Sequence, residues 1–410
     1  MIYTSTPTQK PNDGNSGPAV VGPFPIGVDN THNDFDISKN ALRDAVNVEI
    51  TDAGVVRRAK GFRKLFDLAG TRRLFKLSGK VYAIASGKIY ALESTPREVL
   101  TISSIAQPLV IVENDRAYIH DGFTGYILTT SGSSAWAVQS VAGLPAVSTI
   151  SGGSLFNGSR RFAVTRLDAD GRESGATQFG SFTSNGGVRF SGLPTGDTVA
   201  VYMTYVDGEE LYRVGTTTTG SLDVLAEPTG PLLRTEWCLP PMWGQAGCFH
   251  NGRLLIAQGG VVAYSKPFAD HLFATDEDFL FYTSDVTMVA SVDAGVFISA
   301  DRTYIIKGLG TDAMQQEIIS DYPVYPGSLS TGDDGMLYWL TKEGVFAGDK
   351  DGSVKKVSSD TFAMPDFEET PTAVLRKDGI NGIMSGAGAN SVAFTATDFY
   401  DIEVVRSTST

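Results

Sequence analysis

From residue 65 onward, apolar and polar positions alternate in short runs that end at glycine-containing turns. This is the period-two signature of pleated strands. Leu77-Ser-Gly-Lys-Val-Tyr-Ala-Ile-Ala-Ser-Gly-Lys-Ile-Tyr90 reads as short strands meeting at tight turns. The theme returns in Glu113-Asn-Asp-Arg-Ala-Tyr-Ile-His-Asp-Gly122, His250-Asn-Gly-Arg-Leu-Leu-Ile-Ala-Gln-Gly259, Asp293-Ala-Gly-Val-Phe-Ile-Ser-Ala300 and Asp334-Gly-Met-Leu-Tyr-Trp-Leu-Thr-Lys-Glu-Gly344. Asn-Gly and Asp-Gly between alternating runs suit two-residue hairpins, whose central residues need positive φ. The turn glycines Gly252, Gly295 and Gly335 lie 43 and 40 residues apart. Several short strands per unit at that spacing predict propeller blades.

Two stretches depart from the pattern. Residues 1–30 carry five prolines among Gly and Asn and few large apolar groups, so they predict an extended arm ordered only against another surface. Residues 41–50 begin helix-like and end strand-like, and Thr51-Asp-Ala-Gly54 reads as a turn. Between 150 and 225 the period breaks: Phe162–Leu167, Val188–Phe190 and Val199–Tyr205 read as strands, and 167–176 as a long hairpin tip. This predicts a small β-sandwich of immunoglobulin or fibronectin kind, with six or so short strands, inserted between blades. The expected fold is therefore all-β: a propeller of about five or six blades with an N-terminal arm and an inserted sandwich. The expected boundaries are an arm and leader at 1–64, first blades at 65–148, the sandwich at 149–232 and remaining blades at 233–410.

Composition agrees. Of 410 residues, 45 are Gly, about 11% against a usual ~7%, and charged residues at 19% fall below the usual ~25%. Coiled coils and helical repeats want another composition. Two cysteines, Cys238 and Cys248, cannot form a disulfide scaffold, and no pattern completes a zinc site, so both are expected as reduced thiols. The N-terminus lacks a basic region followed by an apolar run, and no apolar run nears the ~20 residues of a membrane span. The expectation is a soluble protein made without Sec export and without membrane insertion.

The net charge is −13. Between residues 57 and 80 stand nine basic residues and one acid, Asp67, a local +8 that leaves −21 for the rest. Like-charge blocks mark solvated faces or interaction segments. Three readings stay open: ion pairs with the chain's own acidic surface, contact with an acidic partner protein, or contact with DNA phosphate. The candidate contact residues are Arg57, Arg58, Lys60, Arg63 and Lys64.

Enzyme signatures are not found: no G-x-S-x-G elbow, P-loop, dinucleotide fingerprint or H-E-x-x-H is present. His32, His120, His250 and His271 lie far apart; His120 and His250 flank turns and read as structural. Asp349-Lys-Asp-Gly352 reads as an Asp-Gly turn, since a calcium loop needs Gly two positions later. Asp168, Asp170 and Glu173 would bind calcium only if their loop converged them. Ser291-Val-Asp293-Ala-Gly295-Val-Phe297 and Thr331-Gly-Asp333-Asp-Gly335-Met-Leu337 echo the Asp box, a structural turn. No catalytic residue, metal or cofactor is expected. A carbohydrate-binding or glycan-cleaving propeller acting on a host surface is the alternative; it would show two of Trp136, Trp237, Trp243 and Trp339 in one exposed cleft beside paired carboxylates.

Residues 22–64, with Gly-Pro-Phe-Pro-Ile-Gly-Val-Asp-Asn30 and then Ala41-Leu-Arg-Asp-Ala-Val-Asn-Val-Glu-Ile50 leading to Val55-Val-Arg-Arg-Ala-Lys-Gly-Phe62, resemble the leader of tailed-phage virion proteins. Gly247-Cys-Phe-His-Asn-Gly-Arg-Leu-Leu-Ile-Ala257, Ala263-Tyr-Ser-Lys-Pro-Phe268, Arg302-Thr-Tyr-Ile-Ile-Lys-Gly308 and Tyr325-Pro-Gly-Ser328 are similar to the same group, the β-propeller tail and nozzle-type proteins. The resemblance covers about a third of the chain. It implies a non-enzymatic virion component located in the tail and made in a bacterial cytoplasm. It further implies a homo-oligomeric ring, six-fold, that touches other tail or adaptor proteins and transiently the genomic DNA leaving through the channel.

Overall fold

The computed structural model describes residues 22–45, 48–50, 54–58, 65–103, 107–332, 335–358, 360 and 364, and the strand backbones 372–377, 380–387 and 390–395. The described residues contain strands and turns and no helix. Six antiparallel meander sheets follow one another. The first comprises Thr71–Leu77, Lys80–Ala85, Lys88–Leu92 and Pro96–Thr101; the second Leu109–Glu113, Arg116–His120, Gly125–Thr129 and Gly132–Ala135. The third runs from Ala246–His250 through Arg253–Gln258, Val261–Lys266 and Ala269–Phe273, with Phe279–Phe281 added beside Val261–Lys266. The fourth spans Met288–Val292 to Gln315–Ser320, the fifth Ser330–Thr331 to Val354–Lys356, and the sixth Thr372–Lys377 to Asn390–Thr395. From the third sheet to the sixth, each begins 42 residues after its predecessor.

The alternation seen in the sequence explains how these sheets stack. Along a strand successive side chains point to opposite faces, so a strand apolar at every position must be covered on both sides. Gly295–Ser299 is buried throughout: Val296 and Ile298 join a cluster with Leu255, Ala257 and Val262 of the third sheet, while Phe297 joins Leu337 and Trp339 of the fifth. In the third sheet Leu255 and Ala257 turn to that first cluster, and Leu254 and Ile256 meet Leu109, Ile111 and Trp136 of the second. In the second, Tyr118 shares this interface while Ala117 and Ile119 pack on Phe75, Leu77 and Ile84 of the first. One apolar cluster thus fills each gap between the first five sheets.

The first strands are the neighbours along this arc. Leu109–Glu113 lies between Thr71–Leu77 and Ala246–His250, which in turn lies beside Met288–Val292. Radially placed meanders with their leading strands inward make this an all-β propeller, the architecture expected from the repeat.

Between the second and third sheets comes a three-stranded sheet of Ala146–Leu167, Phe179–Met203 and Tyr212–Val224. Three long strands stand where six or so short ones were expected. The middle strand turns back at Gly192 and Gly196, both at positive φ, so its halves pair separately. Ala146 opposes Ser191 and Ile150 opposes Gly187, whereas Phe162 opposes Met203 and Leu167 opposes Thr198. Phe162, Val164, Val188, Phe190, Val201, Met203 and Val224 fill the space enclosed by the folded sheet.

Two local expectations change. The described residues of 41–50 hold no helix: Ala41–Leu42 pairs with Gly27–Val28, and Val48–Ile50 with Val56–Arg58. Partner strands satisfy these backbone groups, and the run is too short to nucleate a helix alone. Gly295 differs from the other repeat glycines. Gly252 and Gly335 have positive φ, but Gly295 pairs with Val292 inside the ladder, and Asp293-Ala294 forms the turn. A β-carbon at Gly295 would lie 2.2 Å from the Ile306 carbonyl oxygen, so close strand approach requires glycine there. Gly295→Val should therefore lower stability by ~1–3 kcal/mol through overpacking, read as a reduced denaturant midpoint with the fourth sheet losing exchange protection first. The arm expected at 1–30 lies largely outside the described residues.

Candidate functional site at the turn face

At one end of the inner strands, three hairpin turns converge: Glu113 to Arg116 in the second sheet, His250 to Arg253 in the third, and Val292 to Gly295 in the fourth. Between them lies an open depression of about 540 Å³, lined by Glu113, Asn114, Phe249, His250, Asn251, Gly252, Ser291, Val292 and Asp293. Each turn is built by its sequence. Asn251 and Gly252 have φ of 48° and 74°, the left-handed pair of a tight hairpin, and Asn114 has φ of 53°.

His250 forms the floor. Its Nδ1 is 2.9 Å from Ser291 Oγ and its Nε2 is 3.0 Å from the Asn251 amide, so the ring ties the leading strands of two sheets together. Burial pushes its pKa below the ordinary histidine value. His120, which accepts a hydrogen bond from the Gly122 N–H, is lowered for the same reason, partly offset by Asp121. Both histidines are buried and hydrogen-bonded within the fold.

A linkage consequence follows. A histidine whose folded pKa lies below its unfolded value of about 6.5 leaves the unfolded chain binding more protons on acidification. Stability should be full above that value and fall as pH drops through it towards the folded pKa. The thermal midpoint should decrease between pH 7 and 5. His120→Gln combined with His250→Gln should flatten that slope, which thermal scans across the range would read.

The rim of the depression carries the exposed carboxylates Glu113 and Asp293. Nearby cations point elsewhere, including Arg116, which stands opposite Glu113 in the ladder and bonds Tyr118. Arg253 donates to the Ser265 carbonyl at 2.9 Å and lies 5.3 Å over the Tyr264 ring, and Lys266 pairs with Asp278 at 2.8 Å. Beside Gly252 stands Phe268, 90% exposed at φ 56°, its N–H bonded to the Gly252 carbonyl at 2.7 Å. A β-carbon at Gly252 would come within 2.5 Å of that ring, so glycine both makes the turn and admits the aromatic. Neither Phe268 nor the convergence of the turns was picked out as a site from the sequence. The only local signal was an aromatic after Pro267 in a turn.

A second built feature is the junction of propeller and inserted sheet. Arg172 pairs with Asp168 at 2.8 Å and donates to the carbonyls of Trp136 and Ala135 at 2.9 and 3.0 Å. Trp136 Nε1 donates to the Asp270 carbonyl at 3.0 Å, and His271 Nε2 to the Glu173 carbonyl at 3.1 Å. Glu173 also accepts bonds from Thr165 and Tyr202. Burial, with the Glu173 carboxylate beside it, pushes the Tyr202 hydroxyl far above the usual tyrosine range. Gly175 passes so close to the Cys238 carbonyl that a β-carbon has no room.

These bonds correct the calcium candidate. Asp168 is held by Arg172 and the Asp170 and Arg172 N–H groups, and Glu173 faces the hydroxyls. Among the described residues, no cluster of three metal-ligating side chains occurs. The tryptophans do not gather in a cleft either. Trp136 and Trp339 are fully buried in separate clusters, Trp237 packs on Phe179, and Trp243 donates to the Gln107 carbonyl. Of the basic candidates, Lys60, Arg63 and Lys64 lie outside the described residues. Arg57 and Arg58 are placed by backbone alone, opposite Glu49 and Val48. Among the described residues no helix is long and apolar enough to cross a membrane.

No family model matches the chain, and no curated protein matches it in sequence. Among solved structures it is similar to the extracellular domain of a one-component system protein from B. thetaiotaomicron, 10% identical over 82% of this chain and 39% of that one, with a TM-score of 0.32. The chain thus spans about two fifths of that domain. Apo AztD from Citrobacter koseri is 12% identical, covering 83% of this chain and 90% of that one, with a TM-score of 0.36. YCF48 bound to D1 peptide is 9% identical over 88% and 98%, with a TM-score of 0.34. Likenesses this distant carry no functional argument.

Proposed function

We propose that the chain is a non-enzymatic structural subunit of a tailed-phage virion, a tail component that assembles into a ring around the axis and contributes to the DNA exit channel. The observation that carries the reading is the junction. Arg172, Trp136 and His271 lock the inserted sheet to the propeller through backbone carbonyls, and neighbouring sheets bury both faces, so two modules behave as one stiff piece. A part that transmits force and positions neighbours needs such stiffness. The leader resemblance at 22–64 supplies the tail assignment, and the basic block with Arg57, Arg58, Lys60, Arg63 and Lys64 supplies a segment suited to an acidic partner or to DNA.

Light scattering on the purified full chain across a wide concentration range tests the ring. The expected mass is a closed multiple of 43.7 kDa, six-fold by the resemblance. A chain that stays monomeric at every concentration would contradict the reading.

A further inference from the structure

We propose that the turn-face depression is the seat for the arginine-rich leader of a second copy of this chain, with Glu113 and Asp293 pairing its guanidinium groups and Phe268 stacking on one of them. The inference rests on the ring reading and specifies the contact that builds it.

Three independent features converge on a cationic, planar ligand. The first is the shape and charge of the site. It is an open depression whose rim carries two exposed carboxylates, with carboxamides from Asn114 and Asn251 and the His250 imidazole, tied to Ser291 and Asn251, at its floor. Of the adjacent cations, Arg116, the ladder partner of Glu113, bonds Tyr118, Arg253 lies over Tyr264 and Lys266 pairs with Asp278, so each is already engaged away from the rim.

The second feature is Phe268. An almost fully exposed aromatic ring, fixed by a backbone bond to Gly252 and by left-handed φ, serves no core at that position. Aromatic faces attract guanidinium groups, and carboxylates pair with them in forked geometry. Lysine satisfies the charge but neither the stacking nor the fork.

The third feature is the ligand that the chain itself carries. Val55-Val-Arg-Arg-Ala-Lys-Gly-Phe-Arg-Lys64 is the core of the +8 block in a protein that is otherwise −21. A segment on one copy seated in a different surface of the next is a heterologous contact when the exchange is not reciprocal, as the ring reading requires, and heterologous contacts close into rings when the rotation allows.

Sedimentation velocity on the full chain tests this with three variants. Glu113→Gln with Asp293→Asn removes the rim charge with little change of shape, Glu113→Arg with Asp293→Arg reverses it, and Arg57→Glu with Arg58→Glu reverses the ligand. The neutral pair should weaken association about ten-fold and each reversal more, with thermal midpoints unchanged. Combining the two reversals should recover most of the association, the mark of direct pairing. Phe268→Ala should weaken it several-fold at constant charge. A wild-type chain that never associates overturns the ring and this contact together. A ring indifferent to the rim substitutions, or a combined reversal no better than either alone, overturns this contact and leaves the ring standing. Loss of thermal stability without loss of association would place the leader on its own copy and also overturn the proposal.

Discussion

Trp136→Ala should destabilise the protein by ~3–5 kcal/mol, the cost of emptying a large core site that cannot collapse. Trp136 is fully buried just beyond the last strand of the second sheet. Its ring meets Tyr118 edge-on at 5.4 Å, lies against Gly125, and shares a cluster with Leu254, Ile256 and Phe273 of the third sheet. Its Nε1 holds the Asp270 carbonyl, and its own carbonyl accepts from Arg172. One residue therefore touches the second sheet, the third sheet and the inserted module. Truncation should open all three contacts together, so hydrogen exchange should rise at 118–120, 254–256 and 270–273 in concert. Exchange confined to 132–136 would show that the inter-sheet cluster does not depend on this ring.

Arg160→Met should cost the inserted sheet a similar ~3–5 kcal/mol, because removing one partner of a buried ion pair leaves the other charge uncompensated. The Arg160 side chain has no exposed surface and donates to Ser184 Oγ and the Thr204 carbonyl, each at 2.8 Å, as well as to Glu227. Glu227 is itself 20% exposed and also receives the Phe156 N–H. Methionine fills much of the volume but supplies no donor. Adding Glu227→Gln to Arg160→Met should restore part of the loss by deleting the stranded charge. Urea unfolding followed by exchange at 156–164 and 184–204 would read both. If the double variant were as unstable as the single one, the lost hydrogen bonds to Thr204 and Ser184 would be the cause instead of the charge.

The repeat was legible because the second to fifth sheets are apolar on both faces yet have strands short enough to need a turn every few residues. Val296-Phe297-Ile298 shows the reason: each side chain has its own neighbour on its own side, so all three must be apolar. The Asn-Gly and Ser-Gly turns were legible because positive φ leaves few residue choices. Gly295 was misassigned because a glycine demanded by a neighbouring strand looks, in sequence, like one demanded by a turn. The insert was visible as a break in period, but not as three long strands, since a continuous strand that bends at Gly192 and Gly196 spells out like separate ones.

Sites were harder to read. Turn residues 113–114, 250–252 and 291–293 are more than 130 residues apart from the first to the second group, and only stacking brings them together. Arg172 reads as a loop charge until its carbonyl acceptors, 36 and 37 residues away, are known. Local pattern carries strand faces and turn types; it does not carry which turns share a rim.

The most direct test of the central claim is cryo-electron microscopy of tailed particles that carry this chain. The account predicts a closed ring of copies around the tail axis, each a disc of stacked sheets with the folded three-stranded module fixed at the gap between the second and third. Finding the chain outside the tail, or as isolated copies with the inserted module at variable angles to the disc, would contradict it.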